Sequence, residues 1–142
     1  MALSDFMVTL ADRTMTWVYE KSNGRIGSRL GKMGMLVLHT TGRKSGEKRS
    51  HTLQYMPDGD NYVVVASNGG QDRNPGWYHN ILSDPHVHIQ IGSRQLTALA
   101  TVAEPEAYSQ LWPRLIAQNS VWETYSRRTT RKIPVVILKP LG

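Results

Sequence analysis

Cysteine is absent from the 142 residues, which excludes a disulfide framework, a thiolate nucleophile and any cysteine-based metal site. No uninterrupted apolar run approaches the roughly 18 residues of a transmembrane helix. Asp5, Asp12, Arg13 and Glu20 break up the first twenty residues, so a secretory apolar segment is missing too. These absences set the expectation of a cytoplasmic protein whose membrane contact, if it has one, is peripheral. Phenylalanine occurs once, but four Trp and six Tyr within a 39% hydrophobic composition argue against disorder. The length suits one domain spanning 1–142. Residues 1–33 read as an amphipathic helix with a basic, glycine-containing connection, and 34–140 as the main body.

Acidic charge is scarce where basic charge concentrates. From Lys21 to Arg49 eight basic residues face Glu47 alone, and Arg127, Arg128, Arg131 and Lys132 form a second group. The net charge of +6 therefore sits in two segments on a mildly acidic remainder, which indicates an anionic partner. Nucleic acid needs more than basic charge, and no stacked-aromatic RNA signature accompanies it; no nucleic-acid partner is expected.

Ser4 is placed to cap a helix from about Asp5, with Leu3, Phe6, Met7, Leu10, Ala11, Thr14, Trp17 and Val18 at helical spacing. Such a stripe must dock on the protein's own sheet, on a second subunit or on a membrane interface. Gly24, Gly27, Gly31 and Gly34 predict a flexible connection after it. Strands are expected at Met35–Thr41, Ser50–Pro57 and Asn61–Ser67, the last two joined at Asp58-Gly59-Asp60. Asn74-Pro75 reads as a helix cap and first turn, with a stop at Asp84-Pro85. Val87–Ile91 and Gln95–Val102 flank Gly92-Ser93; helices follow over about Pro105–Ala117 and Val121–Arg128, then a strand over Ile133–Leu138. Hairpins without βαβ crossovers predict a small antiparallel barrel.

Three functional motifs are missing: the phosphate-loop spacing, the dinucleotide fingerprint and the G-x-S-x-G elbow. What is there is Thr40-Thr41-Gly42-Arg43-Lys44-Ser45-Gly46-Glu47-Lys48-Arg49 between two strands. Its glycines allow backbone N–H groups to converge, and its cations add charge-assisted donors, a combination suited to a phosphate or a carboxylate-rich tail. Ala66-Ser67-Asn68-Gly69-Gly70 is small enough to approach a flat ring. His86 and His88 share a strand face without a third ligand at supporting spacing, so no metal is expected. Trp122 and Tyr125, three apart on a helix, share a face that either packs in the core or covers a bound ring.

The motifs Thr40–Gly46 with Arg49, Ala66–Gly70, Asn74-Pro75 with Trp77-Tyr78-His79-Asn80, and Arg131-Lys132-Ile133-Pro134 together resemble the deazaflavin-dependent nitroreductases over about Met35 to Leu138. The resemblance implies an α+β, mainly antiparallel split β-barrel of about six strands with flanking helices. It also implies coenzyme F420, whose phosphate and oligoglutamate tail are anionic. Carried over by position, Arg43, Lys44, Ser45, Gly46 and Arg49 would hold the phosphate and tail. Ser50, His51, Thr52, Leu53 and Gln54 would run alongside the cofactor. Ala66, Ser67, Asn68 and Gly69 would meet the ring edge, and Trp77, Tyr78, His79 and Asn80 would line the opposite side. Trp122 and Tyr125 would form the substrate pocket, with Ser67 and Tyr125 as catalytic donors. Relatives that activate bicyclic nitroimidazoles carry tyrosines where this chain has Asn119, Trp122 and Tyr125, so only one is retained. The expected activity is hydride transfer from reduced F420 to a quinone, an enone or a nitro compound, by a monomer or homodimer. The alternatives are an FMN oxidoreductase on the same barrel and a non-enzymatic cofactor- or nucleic-acid-binding module.

Overall fold

In the computed structural model the backbone is described for residues 3–30 and 33–142, and side chains for 12–29 and 33–142. The elements in chain order are α1 (Leu3–Lys21), β1 (Arg29–Leu30), β2 (Met33–Thr41), β3 (Lys48–Gln54), β4 (Met56–Asp58), β5 (Asn61–Val65), a 3-10 turn (Asn68–Gly70), α2 (Gly76–Ser83), β6 (His86–Ile91), β7 (Arg94–Val102), α3 (Pro105–Gln118), α4 (Val121–Arg127) and β8 (Val135–Pro140).

All strand pairings are antiparallel, in the order β1-β2-β6-β7-β8-β5-β4, with β3 paired to β2. Val37–His39 of β2 pair with both β3 and β6, so those two strands flank β2 on opposite edges. One chain segment closes the figure. β3 passes through Tyr55 into β4, and β4 pairs with β5 at the far end of the sheet. The sheet thus curls into a barrel whose six long strands are β2, β3, β5, β6, β7 and β8, as the resemblance implies. The barrel is split along β3, which among the described residues has β2 as its one strand partner.

Alternation along the strands builds two cores. Leu36, Leu38, Val64, Ala66, Val87, Ile89, Ala98, Ala100, Val136 and Leu138 fill the barrel, and Trp77 and Ile81 of α2 plug one end. Each large side chain contributes about 1.5–3 kcal/mol of burial free energy. Val63, Val65 and Val135 point the other way, to Leu111 and Leu115 of α3, Trp122 of α4 and Ile133. The apolar run at Val63–Val65 is therefore a strand covered on both faces.

Several expectations shift. The Ser50–Pro57 run is two strands, because the chain changes partner at Tyr55, whose N–H still bonds Gly34 O (3.1 Å). Helix α1 starts at Leu3, so Ser4 lies inside its first turn. The side chains of Leu3–Ala11 in the apolar stripe, together with Gly31, lie outside the described residues. In the described half, Trp17 is 60% exposed, whereas Thr16 and Tyr19 are buried. Polar anchoring overrides the apolar period. The Tyr19 hydroxyl lies against Met35 O (2.9 Å) and Gln90 O (3.2 Å) and accepts from the Gly92 N–H (2.8 Å), while Thr16 and Thr52 share a hydrogen bond of 2.8 Å. The connection after α1 is not loose where it is described. Gly24 N–H bonds Tyr19 O (2.9 Å), and a Cβ on Gly24 (φ +83°) would fall on the Gly92 backbone. Pro75, not Asn74, caps α2, because the Asn74 side chain accepts a hydrogen bond from Arg131.

Candidate active site

The cation-rich turn between β2 and β3 is compact. Gly42 N–H bonds Glu47 O (2.7 Å), Gly46 N–H bonds Gly42 O (2.8 Å), and the Glu47 N–H donates to Ser45 Oγ (3.1 Å). Gly46, at φ +74°, provides the left-handed step that a side chain would resist. Arg49 reaches Ser45 Oγ (3.5 Å) and stands 3.7 Å from the Glu47 carboxylate. Lys44 and Lys48 are exposed and, among the described residues, take part in no ion pair.

Asn80 fastens α2 to this turn. Its Oδ1 accepts from the Arg43 N–H and from Arg43 Nη1, both at 3.2 Å, and its Nδ2 donates to Thr40 Oγ1 (3.1 Å). The buried Asn80 thus uses both ends of its amide to hold Arg43 at the mouth of the turn. Trp77 is buried beneath, and Tyr78 and His79 stay half-buried with their rings 5.7 Å apart, edge on.

The Ala66–Gly70 loop is braced from the far side by an arginine. Arg131 donates from Nη2 to Ser67 O (2.8 Å), from Nε to Gln71 O (2.9 Å) and from Nη1 to Asn74 Oδ1 (2.8 Å). Burial holds its pKa below the ordinary guanidinium value, with Asp72 opposing. Ser67 itself is buried, and Asn68 adopts φ +47° while its Nδ2 donates to Arg73 O (3.1 Å). The other cations of the second basic group are exposed but each has a partner within the chain. Arg127 pairs with Glu123 (2.6 Å), Arg128 lies 5.3 Å over the Tyr125 ring, and Lys132 lies 4.0 Å over the Tyr108 ring. Both basic segments expose cations; those of the second, Arg127, Arg128 and Lys132, each have a partner within the chain, whereas Lys44 and Lys48 of the turn take part in no ion pair among the described residues.

Strand β3, Lys48–Gln54, has no strand on its second edge among the described residues, and α1 packs against it through Thr16–Thr52 (2.8 Å) and Asp12–His51 (3.0 Å). The α3–α4 connection and α4 link the end of β3 to the loop. At one end Asn119 Nδ2 donates to Gln54 Oε1 (2.8 Å); at the other, Tyr125 O and Arg128 press on Gly70, where an added Cβ would meet them at 2.9 and 3.1 Å. Trp122 and Tyr125 lie between, their rings 6.2 Å apart; Trp122 is 8% exposed within the second core and Tyr125 packs beside it. Two sets of contacts result: Asn80 ties the cation turn to α2, and the 119–128 segment ties the Ala66–Gly70 loop to the end of β3. The exposed cations and the backbone N–H groups of the turn have the donor chemistry that a polyanionic tail requires.

The histidines divide by position. His51 Nδ1 is 3.0 Å from Asp12 of α1, part of the packing of α1 on β3. His39 is buried on the outer sheet face, 2.7 Å from Ser50 Oγ, its ring 5.5 Å from that of His88. Burial first, then Lys48 and His88, lower its pKa to about 4. Among the described residues no group of three or more His, Cys, Asp or Glu could hold a metal ion.

The sequence profile of the F420H(2)-dependent quinone reductases matches residues 11–140. This chain belongs to that family. An F420H(2)-dependent quinone reductase of Mycobacterium tuberculosis is 42% identical over 126 residues, which is 85% of this chain and 84% of that protein. A solved F420-H2 dependent reductase of the FDR-A type superposes with a TM-score of 0.68 at 33% identity, over 74% of this chain and 93% of its own. A solved domain-swapped dimer, 28% identical, superposes at 0.72 over 97% of this chain and 100% of its own. The barrel alone does not choose a cofactor: a heme-binding protein of Mycobacterium smegmatis shares the fold at 15% identity and a TM-score of 0.57, over 73% of this chain and 45% of that one. Membership makes the protein an F420-dependent oxidoreductase, which transfers a hydride from the reduced deazaflavin to an electron-poor organic acceptor, and it decides for F420 over FMN.

Sequence reasoning missed two features of this region. Arg131 was visible as a charge, but nothing local separates an arginine that binds ligand from one that braces a loop. The Asn119–Gln54 bond joins residues 65 positions apart, and neither stands in a motif that signals the other.

Proposed function

We propose that the protein reduces quinones to hydroquinones with reduced F420 bound between β3 and the Ser67–Asn80 segment. One observation carries this reading: Asn80 joins the exposed cation turn to α2, so the turn and the Trp77–Asn80 segment are held together. This contact supports an anion grip joined to the segment proposed to line the ring. Lys44 and Arg49, with Arg43 held by Asn80, would bind the phosphate and acidic tail; Ser45 and Gly46 shape the turn around them. The strand Ser50–Gln54 would run along the cofactor, Ala66–Gly69 would meet the ring edge, and Trp77–Asn80 would close the opposite side.

The bound cofactor supplies a hydride; the protein binds, orients and excludes water. The Ser67 hydroxyl would donate to a ring carbonyl or to developing negative charge, and Tyr125, beside Trp122 in α4, would donate to the acceptor or close the pocket over it. On α1, Met15 and Trp17 are exposed, which supports a peripheral membrane contact suited to lipid-soluble quinones; co-sedimentation with anionic vesicles, lost in Trp17→Ser, checks it. No helix among the described residues is long and apolar enough to cross a membrane.

The test is a fluorescence titration with oxidised F420 and, separately, FMN at two salt concentrations, followed by F420H2 oxidation with 1,4-naphthoquinone. Salt-sensitive binding of F420 with quinone-dependent turnover is expected. Preference for FMN, or F420 binding without quinone turnover, would overturn the reading.

A further inference from the structure

The outer face of the sheet carries a basic cavity that the cofactor reading does not use. Leu36 and Leu38 of β2 point into the barrel, so alternation turns Val37, His39 and Thr41 outward. Register then sets Ser50, His39, His88 and Thr97 in one row across β3, β2, β6 and β7, with Thr41 opposite Lys48 beside it. The next row, Thr52–Val37–Gln90, lies under α1, where Thr16 and Thr52 share a hydrogen bond of 2.8 Å. The His39 row borders an open cavity of about 460 Å³, lined by His39, Thr41, Lys48, His86, His88 and Thr97. Leu141 supplies one apolar edge. Volumes of this order are those of small-ligand sites.

The lining has one sign of charge. Lys48 takes part in no ion pair, and no carboxylate borders the cavity, among the described residues. Asp84 is committed to His86, accepting from its N–H (3.1 Å) and standing 3.0 Å from its Nδ1, while Glu47 stands 3.7 Å from Arg49. His88 Nε2 meets Gln95 Oε1 (2.7 Å). His39 gives the cavity its fixed donor. The residue is 8% exposed and its Nδ1 lies 2.7 Å from Ser50 Oγ, yet Nε2 has no hydrogen-bond partner among the described residues and keeps contact with solvent. Burial, then Lys48 and His88, lower its pKa to about 4, so the ring is neutral at pH 7. An anion in the cavity selects the tautomer in which Ser50 donates to Nδ1 and Nε2 carries the proton. Lys48 adds charge, and Thr41 and Thr97 add hydroxyl donors. Among the described residues the three imidazoles do not form a group able to hold a metal ion.

We propose that this cavity is a second ligand site, which binds a small oxyanion of the phosphate class through Lys48, His39, His88 and the two threonine hydroxyls, separate from the F420 grip. Alternation along β3 supports the separation. Lys48 and Ser50 lie on the cavity's face of the strand and Arg49 on the other, where Arg49 reaches Ser45 Oγ (3.5 Å).

The experiment titrates cofactor-free protein with inorganic phosphate at fixed pH and ionic strength, following the imidazole resonances of all five histidines by NMR, each assigned through its glutamine variant. Saturable shifts of His39, His86 and His88 are expected, with His51 and His79 unmoved. In Lys48→Met the phosphate dissociation constant should rise by about fivefold, the worth of one exposed cation–anion contact, and it should also rise in His88→Gln. Shifts that do not saturate, equal shifts at His51 and His79, or unchanged affinity in either folded variant would overturn the proposal. A second titration with F420 present separates the two sources of oxyanion. The phosphate response should persist; F420 that itself shifts His39 and His88 and blocks phosphate would assign the cavity to the cofactor's acidic tail and overturn a separate site.

Discussion

Arg131→Ala tests whether the ring-edge loop is shaped by its brace. In the native protein one guanidinium satisfies Ser67 O, Gln71 O and Asn74 Oδ1 at 2.8–2.9 Å. A hydrogen bond from a charged donor contributes roughly 1.5–3 kcal/mol. Gln71 is exposed, so water replaces that partner readily, whereas the buried Ser67 and half-buried Asn74 lose more. Counting one to two effective bonds gives a loss of about 3 kcal/mol. Against a typical stability of about 5–15 kcal/mol, the protein should stay folded, with a melting temperature lower by roughly 10 °C. The loss should be local as well as global. Hydrogen exchange should accelerate over 67–74 more than in β6 or β7, and F420 affinity should fall even though Arg131 belongs to the loop's support. Arg131→Lys should recover less than half of the loss, because one ammonium cannot address three acceptors spread around a planar fork. A melting temperature within about 2 °C of wild type, unchanged exchange over 67–74, or full rescue by lysine would refute this account of the brace.

Three further outcomes are expected. Lys44→Ala combined with Arg49→Ala should weaken F420 binding by roughly 30-fold at low salt, from about 1 kcal/mol per exposed cation–phosphate contact, and by less at high salt; unchanged affinity at both would refute the anion grip. His39 has a folded pKa of about 4 against an unfolded value near 6.5, so the stability from keeping it neutral is present above pH 6.5 and is lost as pH falls toward 4. Its contribution is at most about 3 kcal/mol, and urea midpoints across that window should flatten in His39→Gln. Gly24→Ala should destabilise by about 2 kcal/mol or more, because the new Cβ meets the Gly92 backbone at a positive φ; an unchanged melting temperature would show that the α1 connection is free to move.

The order of elements was legible in the sequence because its signals are short-range. Asp58-Gly59-Asp60 and Gly92-Ser93 dictate tight turns, two-sided apolar runs such as Val63–Val65 dictate buried strands, and Gly42–Arg49 concentrates charge in a turn whatever the rest of the chain does. The motifs from Thr40 to Pro134 named the family for the same reason. Their spacing is set by backbone geometry within a few residues, and a flat, anionic ligand imposes it.

Long-range pairing decided the rest. Which partners the basic residues at 127–132 find depends on where Ser67, Glu123 and Tyr108 come to rest: Arg131 braces the loop, while Arg127, Arg128 and Lys132 stay exposed beside their partners. The apolar period of α1 placed Trp17 on the buried side, but the helix is rotated so that Tyr19 meets the carbonyls of Met35 and Gln90. The change of strand partner at Tyr55, the meeting of His39 with His88, and the Asn119–Gln54 bond exist only once register is set across 49 residues or more of chain, or across two strands at once. Local sequence determined which chemistry this protein carries. Tertiary packing determined which partners those groups find, because a charge or an amide serves whichever partner the fold brings within about 3 Å of it.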